Sequence, residues 1–289
     1  MKNRLEYILF TGFEKLFHLL GLKLSRKFAL FLALVFYYLI PIRKETVLDN
    51  LRHAFPSYDE KKIRKIAFAN YKSFATVLIE ILYMSRMTAE EIKQEVDCIN
   101  LDYVRKKYEE GNGLILLSAH FGNWECMAAS MGVQLNISLS LVVKPLRNPY
   151  VSNWMNRTRA KWNNKIVPLG ISIRQVYQTL KEKKIVAMVA DQRGPEDGIK
   201  VNFFGREVST HAGPAVLGLK TGAPILYCIP IRQKNNTYKT EFTEISKENL
   251  PGLYDDKIKE LSQRHMSYLE GFIRKHPEQW LWMHKRWKH

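Results

Sequence analysis

Gly113-Leu-Ile-Leu-Leu-Ser118-Ala-His120-Phe-Gly-Asn-Trp-Glu125 is the stretch that decides how this chain reads. A Gly-Asn-Gly turn at 111–113 opens onto a short, wholly apolar run, the pattern of a strand buried on both faces. A helix is expected to begin near Asn123, with Gly122 letting the chain turn tightly between the two. His120 then falls at the carboxyl end of the strand, where open α/β sheets place their ligands. Glu125 falls in the first helical turn.

Three further apolar runs have the same character: Leu139 to Val143, Ile185 to Ala190 and Pro224 to Ile231. Helical patterns lie between them. Strands alternating with helices indicate an α/β fold, a mixed central sheet flanked by helices. Upstream, residues 44 to 110 read as helical. Ser57 is expected to cap a helix opening near Tyr58, and apolar positions recur at helical spacing from Ile63 to Met84. Asp255 to Arg274 reads as a last amphipathic helix. There is no internal repeat, low-complexity tract or Gly/Ser linker.

The N-terminus is the most apolar part. Phe28 to Ile42 runs FALFLALVFYYLIPI, fifteen residues without a charge, where a bilayer span needs roughly 20. It starts late for a signal peptide, and no small-residue cleavage site follows it. Before it, Leu5, Ile8, Leu9, Phe13, Leu16, Phe17 and Leu20 recur at helical spacing among basic residues. An amphipathic helix followed by a short hydrophobic one, lying on or dipping into a membrane, fits this segment. The expected organisation is therefore an N-terminal membrane-associated segment over 1–43 and a catalytic domain over 44–289.

Composition narrows the partners. The chain has 289 residues, 45 Lys and Arg against 28 Asp and Glu, and a formal charge of +17. Such a balance implies an anionic partner: nucleic acid, anionic lipid, a phosphorylated substrate or an acidic protein. No recognisable RNA- or DNA-binding motif is present, so no nucleic acid is expected. The three cysteines, Cys98, Cys126 and Cys228, are far apart and odd in number. They form neither a disulfide framework nor a zinc pattern and suit a reducing compartment.

His120 and Glu125 carry the chemistry. Imidazole is the usual general base near neutral pH, and a carboxylate on its other ring nitrogen fixes the tautomer. Spacing alone is weak support: with eight histidines, about one chance H-x4-E is expected. His265 and Glu270 supply one inside an expected helix, where residues five apart face about 140° away from each other. Asp191-Gln192-Arg193 follows the third strand, so its polar groups emerge at a strand end too. Arg157 and Arg159 lie on an expected helix and suit a phosphate or a developing oxyanion. Ser209-Thr210, before Ala212-Gly213-Pro214, reads either as an anion-binding nest or as a plain turn. Ser118 is not in a G-x-S-x-G elbow, and Cys126 reads as an inert buried thiol. His284 and His289 lack a third ligand, so no metal is expected.

Taken in order, these blocks resemble the bacterial lipid A biosynthesis acyltransferases, relatives of the glycerolipid acyltransferases. The likeness runs over nearly the whole chain: Arg43 with Asn50-Leu-Arg-His-Ala-Phe-Pro56, His120 through Glu125, Lys144-Pro-Leu-Arg-Asn-Pro149, Asp191-Gln192 and Val201-Asn-Phe-Phe-Gly205. Gly213-Pro214, Thr221-Gly-Ala-Pro224 and Pro277-Glu-Gln-Trp-Leu-Trp-Met-His-Lys-Arg-Trp287 complete it. The stretch Lys161-Trp-Asn-Asn-Lys165 departs by lacking a glycine common after the family arginine.

The resemblance implies an acyl-acyl carrier protein donor, a lipid acceptor and an anionic membrane surface, on the cytoplasmic face of the inner membrane. It implies catalysis by His120 and Glu125, substrate contacts from Arg159, Arg157, Asn123, Asp191 and Gln192, and no cofactor, metal or covalent acyl-enzyme. Relatives acting on lysophospholipids, aminolipids or mannosylated phosphoinositides share the same motif, so the acceptor stays open. A non-catalytic protein that kept the fold is the remaining alternative.

Overall fold

The computed structural model describes residues 1–170 and 172–288; His289 lies outside the described residues. Its centre is a six-stranded sheet made of β2 (Leu114–Ser118), β3 (Leu139–Val143), β4 (Lys165–Pro168), β5 (Ile185–Val189), β8 (Ile225–Cys228) and β11 (Phe242–Glu244). The order across the sheet is β11-β8-β2-β5-β3-β4, parallel except for the antiparallel edge strand β11. The mixed sheet expected from the sequence is therefore present.

All five residues of β2 are buried, as their unbroken apolar run requires of a strand covered on both faces. Ile115 and Leu117 face one hydrophobic cluster, and Leu114 and Leu116 face another. Gly113, at φ +70°, starts the strand where a Cβ would come within 2.6 Å of the Leu180 carbonyl oxygen, so the turn there admits only glycine. Of the four expected strands, Leu139 to Val143 keeps its bounds and Ile185 to Ala190 loses one residue. The run from Pro224 splits at Pro230, which lacks an N–H for the ladder, into β8 and the two-residue β9 (Ile231–Arg232).

Smaller sheets flank this one. β1 (Val96–Cys98) pairs with β10 (Tyr238–Thr240), which pairs with β9, and β6 (Ile199–Phe203) forms a hairpin with β7 (Arg206–Thr210). The helices are α1 (Lys2–Leu34), α2 (Lys44–Ala54), α3 (Glu60–Met84), α4 (Ala89–Glu95), α5 (Leu101–Glu109), α6 (Trp124–Leu135), α7 (Pro149–Ala160), α8 (Ser172–Lys181), α9 (Gly213–Thr221) and α10 (Tyr254–Lys275). The cap of α3 is Asp59 rather than Ser57: its carboxylate accepts the Lys62 N–H at 2.7 Å.

The N-terminal helix is long and kinked. Gly21, at φ 74°, breaks α1, and the Ser25 hydroxyl bonds back to the Phe17 carbonyl across the break. One side of α1 packs on α3 through Phe17, Ala29 and Ala33, which belong to the main hydrophobic cluster. The other side is apolar and open: Leu5, Ile8, Leu9, Leu16, Leu19, Phe31 and Leu34 are exposed. A π-helical turn, Val35–Leu39, continues it. Among the described residues no helix is long and apolar enough to cross a membrane.

Candidate active site

Strand register assembles the site. β2 and β5 are parallel neighbours with Ser118 opposite Val189. Two residues further on, each chain leaves the sheet, so His120 and Asp191 come face to face. His120 Nδ1 lies 2.7 Å from Asp191 Oδ1, and the His120 backbone N–H donates to Asp191 Oδ2 at 3.1 Å. The Trp280 indole N–H donates to that same oxygen at 2.9 Å.

Asp191 is almost fully buried. Burial alone would raise its carboxyl pKa. The imidazolium charge and the three hydrogen bonds outweigh that and hold it at about 2. The carboxylate is thus ionised and only accepts, which assigns the proton of neutral His120 to Nδ1 and leaves the Nε2 lone pair open. Burial works against charging the His120 ring, but Asp191, and more remotely Glu125, overcome it, so its pKa stands above the ordinary histidine value. The ring lines a narrow groove whose walls include Asn70, Phe74 and Val77 of α3, Trp124 and Leu281.

The carboxylate on the imidazole is therefore Asp191, where the sequence had suggested Glu125. Glu125 leaves the first turn of α6 in another direction, toward α7. There Arg159 grips it with both arms of the guanidinium, Nε to Oε2 at 2.8 Å and Nη2 to Oε1 at 2.5 Å. The Trp124 indole N–H adds a third bond at 3.1 Å. The pair is mostly buried, with side-chain exposures of 14% and 8%, so solvent screens it little. His120 and Trp124 meet edge to face with ring centroids 4.9 Å apart, and the same Trp124 indole N–H donates to Glu125.

The remaining residues singled out in the sequence separate. Asn123 is wholly buried: its oxygen caps α6 through the Cys126 N–H at 2.9 Å, and its nitrogen donates to Glu80 at 3.1 Å. It holds the helix start instead of facing the groove. Arg157 is exposed on α7, and Gln192 is half-buried next to Asp191. Ser209 and Thr210 end β7 rather than forming a loop.

The C-terminal segment was not expected in the site, yet it forms one wall. Leu281 N–H donates to the His120 carbonyl at 2.9 Å and Gly122 N–H to that of Gln279 at 2.9 Å, a short antiparallel pairing centred on Phe121 and Trp280. Gly122 must be glycine here: at φ +49°, a Cβ would sit 2.1 Å from the Pro230 carbonyl oxygen. Asn70 of α3 donates to the carbonyls of Trp280 and Glu278, and Asn50 of α2 to those of Trp282 and His284. Arg43 donates to the Met283 carbonyl. The distant blocks around Arg43 and Asn50 thus act on the site by clamping the segment that brings Trp280 to Asp191.

A family model for the bacterial lipid A biosynthesis acyltransferases matches residues 3–289. The chain belongs to this family. It is an acyltransferase, and its similarity to known members is spread along the chain. It is 25% identical over 248 residues to the lipid A biosynthesis lauroyltransferase of Escherichia coli K12, covering 85% of this chain and 79% of the relative. It is 24% identical over 255 residues to that organism's lipid A biosynthesis palmitoleoyltransferase, with the same coverage. The phosphatidylinositol mannoside acyltransferase of Mycolicibacterium smegmatis is 26% identical over 161 residues, 54% of this acyltransferase and 53% of the relative.

Proposed function

We propose that this acyltransferase moves a fatty acyl chain from an acyl-acyl carrier protein to a hydroxyl of a lipid A precursor, with His120 as general base. Nε2 takes the hydroxyl proton, and the oxygen attacks the thioester carbonyl. The tetrahedral intermediate collapses, and the imidazolium returns the proton to the departing thiolate. Asp191 keeps Nδ1–H in place and stabilises the imidazolium. Glu125 completes the catalytic group by holding Arg159, whose charge lies beside the centre where the oxyanion develops. Gln192 and Arg157 are proposed to contact substrate.

One observation carries the reading above all: the His120–Asp191 bond leaves Nε2 as the free nitrogen of a ring that lines a groove. The net charge of +17 suits an acidic carrier protein and an anionic lipid surface. The open apolar side of α1 suits residues 1–43 lying on the inner membrane at its cytoplasmic face. The mannoside relatives keep a mannosylated phosphoinositide as a second acceptor.

The test is transfer itself. Purified protein is incubated with acyl-acyl carrier protein and a tetra-acylated lipid A precursor, and the acceptor is followed by mass spectrometry. A gain of one acyl chain that disappears in His120→Ala is expected. Transfer only to a different lipid from a total membrane extract moves the acceptor. No His120-dependent transfer to any lipid sinks the reading.

A further inference from the structure

One buried carboxylate gathers side chains from several elements around the turn that carries His120. Glu80 lies on α3, three residues beyond the groove-lining Val77 and on the same face, and is 2% exposed. Its Oε2 accepts the Asn123 side-chain N–H at 3.1 Å and the Tyr238 hydroxyl at 2.6 Å. Its Oε1 accepts the Arg26 Nε–H at 2.8 Å. Arg26 comes from α1 and also donates to Glu95, the last residue of α4, at 2.5 Å. Burial works against the Arg26 charge, but Glu80 and Glu95 outweigh it and raise the pKa, so the guanidinium stays a cation. The Tyr238 oxygen in turn accepts the Arg232 Nε–H at 2.9 Å.

These bonds end on both sides of the His120 turn. On the helix side, Asn123 gives its nitrogen to Glu80 and its oxygen to the Cys126 N–H, so the carboxylate fixes the amide that starts α6. The next two residues are Trp124, which meets the His120 ring edge to face, and Glu125, which holds Arg159. On the other side, the Arg232 backbone N–H donates to Gln279 Oε1 at 2.7 Å, and the Gln279 carbonyl accepts the Gly122 N–H at 2.9 Å. The Tyr238 ring closes on Gly122, where an added Cβ would come within 3.2 Å of it. A cluster of buried charges is a poor source of stability, since apolar residues of similar volume often do as well. A satisfied buried network does supply one fixed arrangement of the groups it joins.

We propose that Glu80 is a positioning residue for the reaction: through Asn123 it sets the first turn of α6, and with it Trp124 and Glu125, against His120. It touches no substrate in this role. The helix whose Asn70, Phe74 and Val77 line the groove thereby also registers the His120 turn against that groove. A misplacement of about 1 Å at a reacting centre can cost on the order of 10²-fold in rate, so a carboxylate set back from the groove can govern turnover. The kinetic consequence rests on the acyl-transfer reading; the ordering of the turn by Glu80 does not.

Asn123→Ser separates positioning from capping. Serine caps a helix as well as asparagine does but has no second arm for Glu80. Its kcat is expected to fall roughly tenfold or more, with KM for donor and acceptor held within about twofold. Glu80→Gln keeps the size but cannot accept on both sides at once, and should do the same. Val104→Ala, a core truncation in α5, controls for lost stability and is expected to keep kcat. Hydrogen exchange of the full-length proteins, read by mass spectrometry, follows the same link without substrate. Amides of residues 120–128 should exchange faster in Asn123→Ser and Glu80→Gln and not in Val104→Ala. If Glu80→Gln does not fold, Asn123→Ser decides alone. Wild-type kcat in Asn123→Ser, an equal loss in Val104→Ala, or a loss confined to KM overturns the proposal. Faster exchange in the variants of a protein that transfers no acyl chain would sink the reaction and keep the ordering role. Transfer by the wild type, with turnover and exchange unchanged in the variants, would do the reverse.

Discussion

His120 Nδ1 stands 2.7 Å from Asp191 Oδ1, and the two residues belong to neighbouring parallel strands that end in register. The proposed base and its orienter are thus set by the sheet rather than by a loop. Asp191→Asn keeps the shape but replaces an obligatory acceptor with a group that can present an N–H to Nδ1, favouring the wrong tautomer. Turnover is expected to fall by roughly 10²–10⁴-fold with KM little changed. Single-turnover acyl transfer checks this; near-wild-type rates would remove Asp191 from the mechanism.

The same pair fixes a pH dependence. His120 must be neutral at Nε2 to accept a proton, and its pKa is raised by Asp191 above the ordinary histidine value. The rate should therefore climb with pH through an inflection above about 6.5. In Asp191→Asn the raising charge is gone while burial remains, so the inflection should move to lower pH. A pH–rate profile of both proteins reads the shift, and an unmoved inflection would assign it to another group.

Glu125 and Arg159 should behave as one unit. Removing either partner leaves the other charge mostly buried and alone, at a cost of about 3 kcal/mol in stability. Glu125→Gln and Arg159→Gln together remove both charges, so the double variant should be destabilised by less than the two single effects combined. Denaturant unfolding of the four proteins measures the coupling. If the proposed role of Arg159 holds, activity should be lost in all three variants, because each lacks either the arginine or the carboxylate that holds it.

Much of this was legible in the chain, for reasons that also mark where it stopped. The runs at Leu114, Leu139 and Ile185 gave strands because a strand buried on both faces has to be apolar throughout. The His120 to Glu125 segment gave a strand–turn–helix because Gly122 and Asn123 suit a tight turn and a cap. Spacing could not show which carboxylate meets the imidazole. His120 and Glu125 are close in sequence, whereas His120 and Asp191 meet only through the pairing of β2 with β5. Trp280 was equally hidden, since its approach depends on carbonyl contacts from Asn50, Asn70 and Arg43.

Membrane attachment is best probed on the open side of α1. Deleting residues up to Arg43 would also remove Phe17 and Ala29 from the core and the Arg26 bond to Glu80. Leu9 and Leu19 are 58% and 84% exposed, so changing them to Glu should shift stability by no more than about 0.5 kcal/mol. If they enter the interface, each change should weaken binding to anionic vesicles by about tenfold or more, as burying a leucine stabilises by about 1.5–3 kcal/mol. Sedimentation with vesicles decides it: unchanged binding would place the contact elsewhere.

His265 offers a test that is independent of catalysis. It lies in α10, buried against the Tyr227 ring, and its Nε2 has no partner among the described residues. Burial, reinforced by the Arg286 charge, depresses its pKa to about 4. Between that value and the unfolded value near 6.5, the unfolded chain binds the proton and the folded one does not. Its contribution to stability is therefore full above about pH 6.5 and is lost as pH falls toward 4. That loss amounts to about 3 kcal/mol, from 1.36 kcal/mol per pKa unit. His265→Phe cannot take up the proton, so its stability should fall less steeply over this window than that of the wild type. Urea unfolding at pH 7, 6, 5 and 4 measures both slopes, and parallel curves would show that the ring is protonated in the folded protein as readily as in the unfolded one.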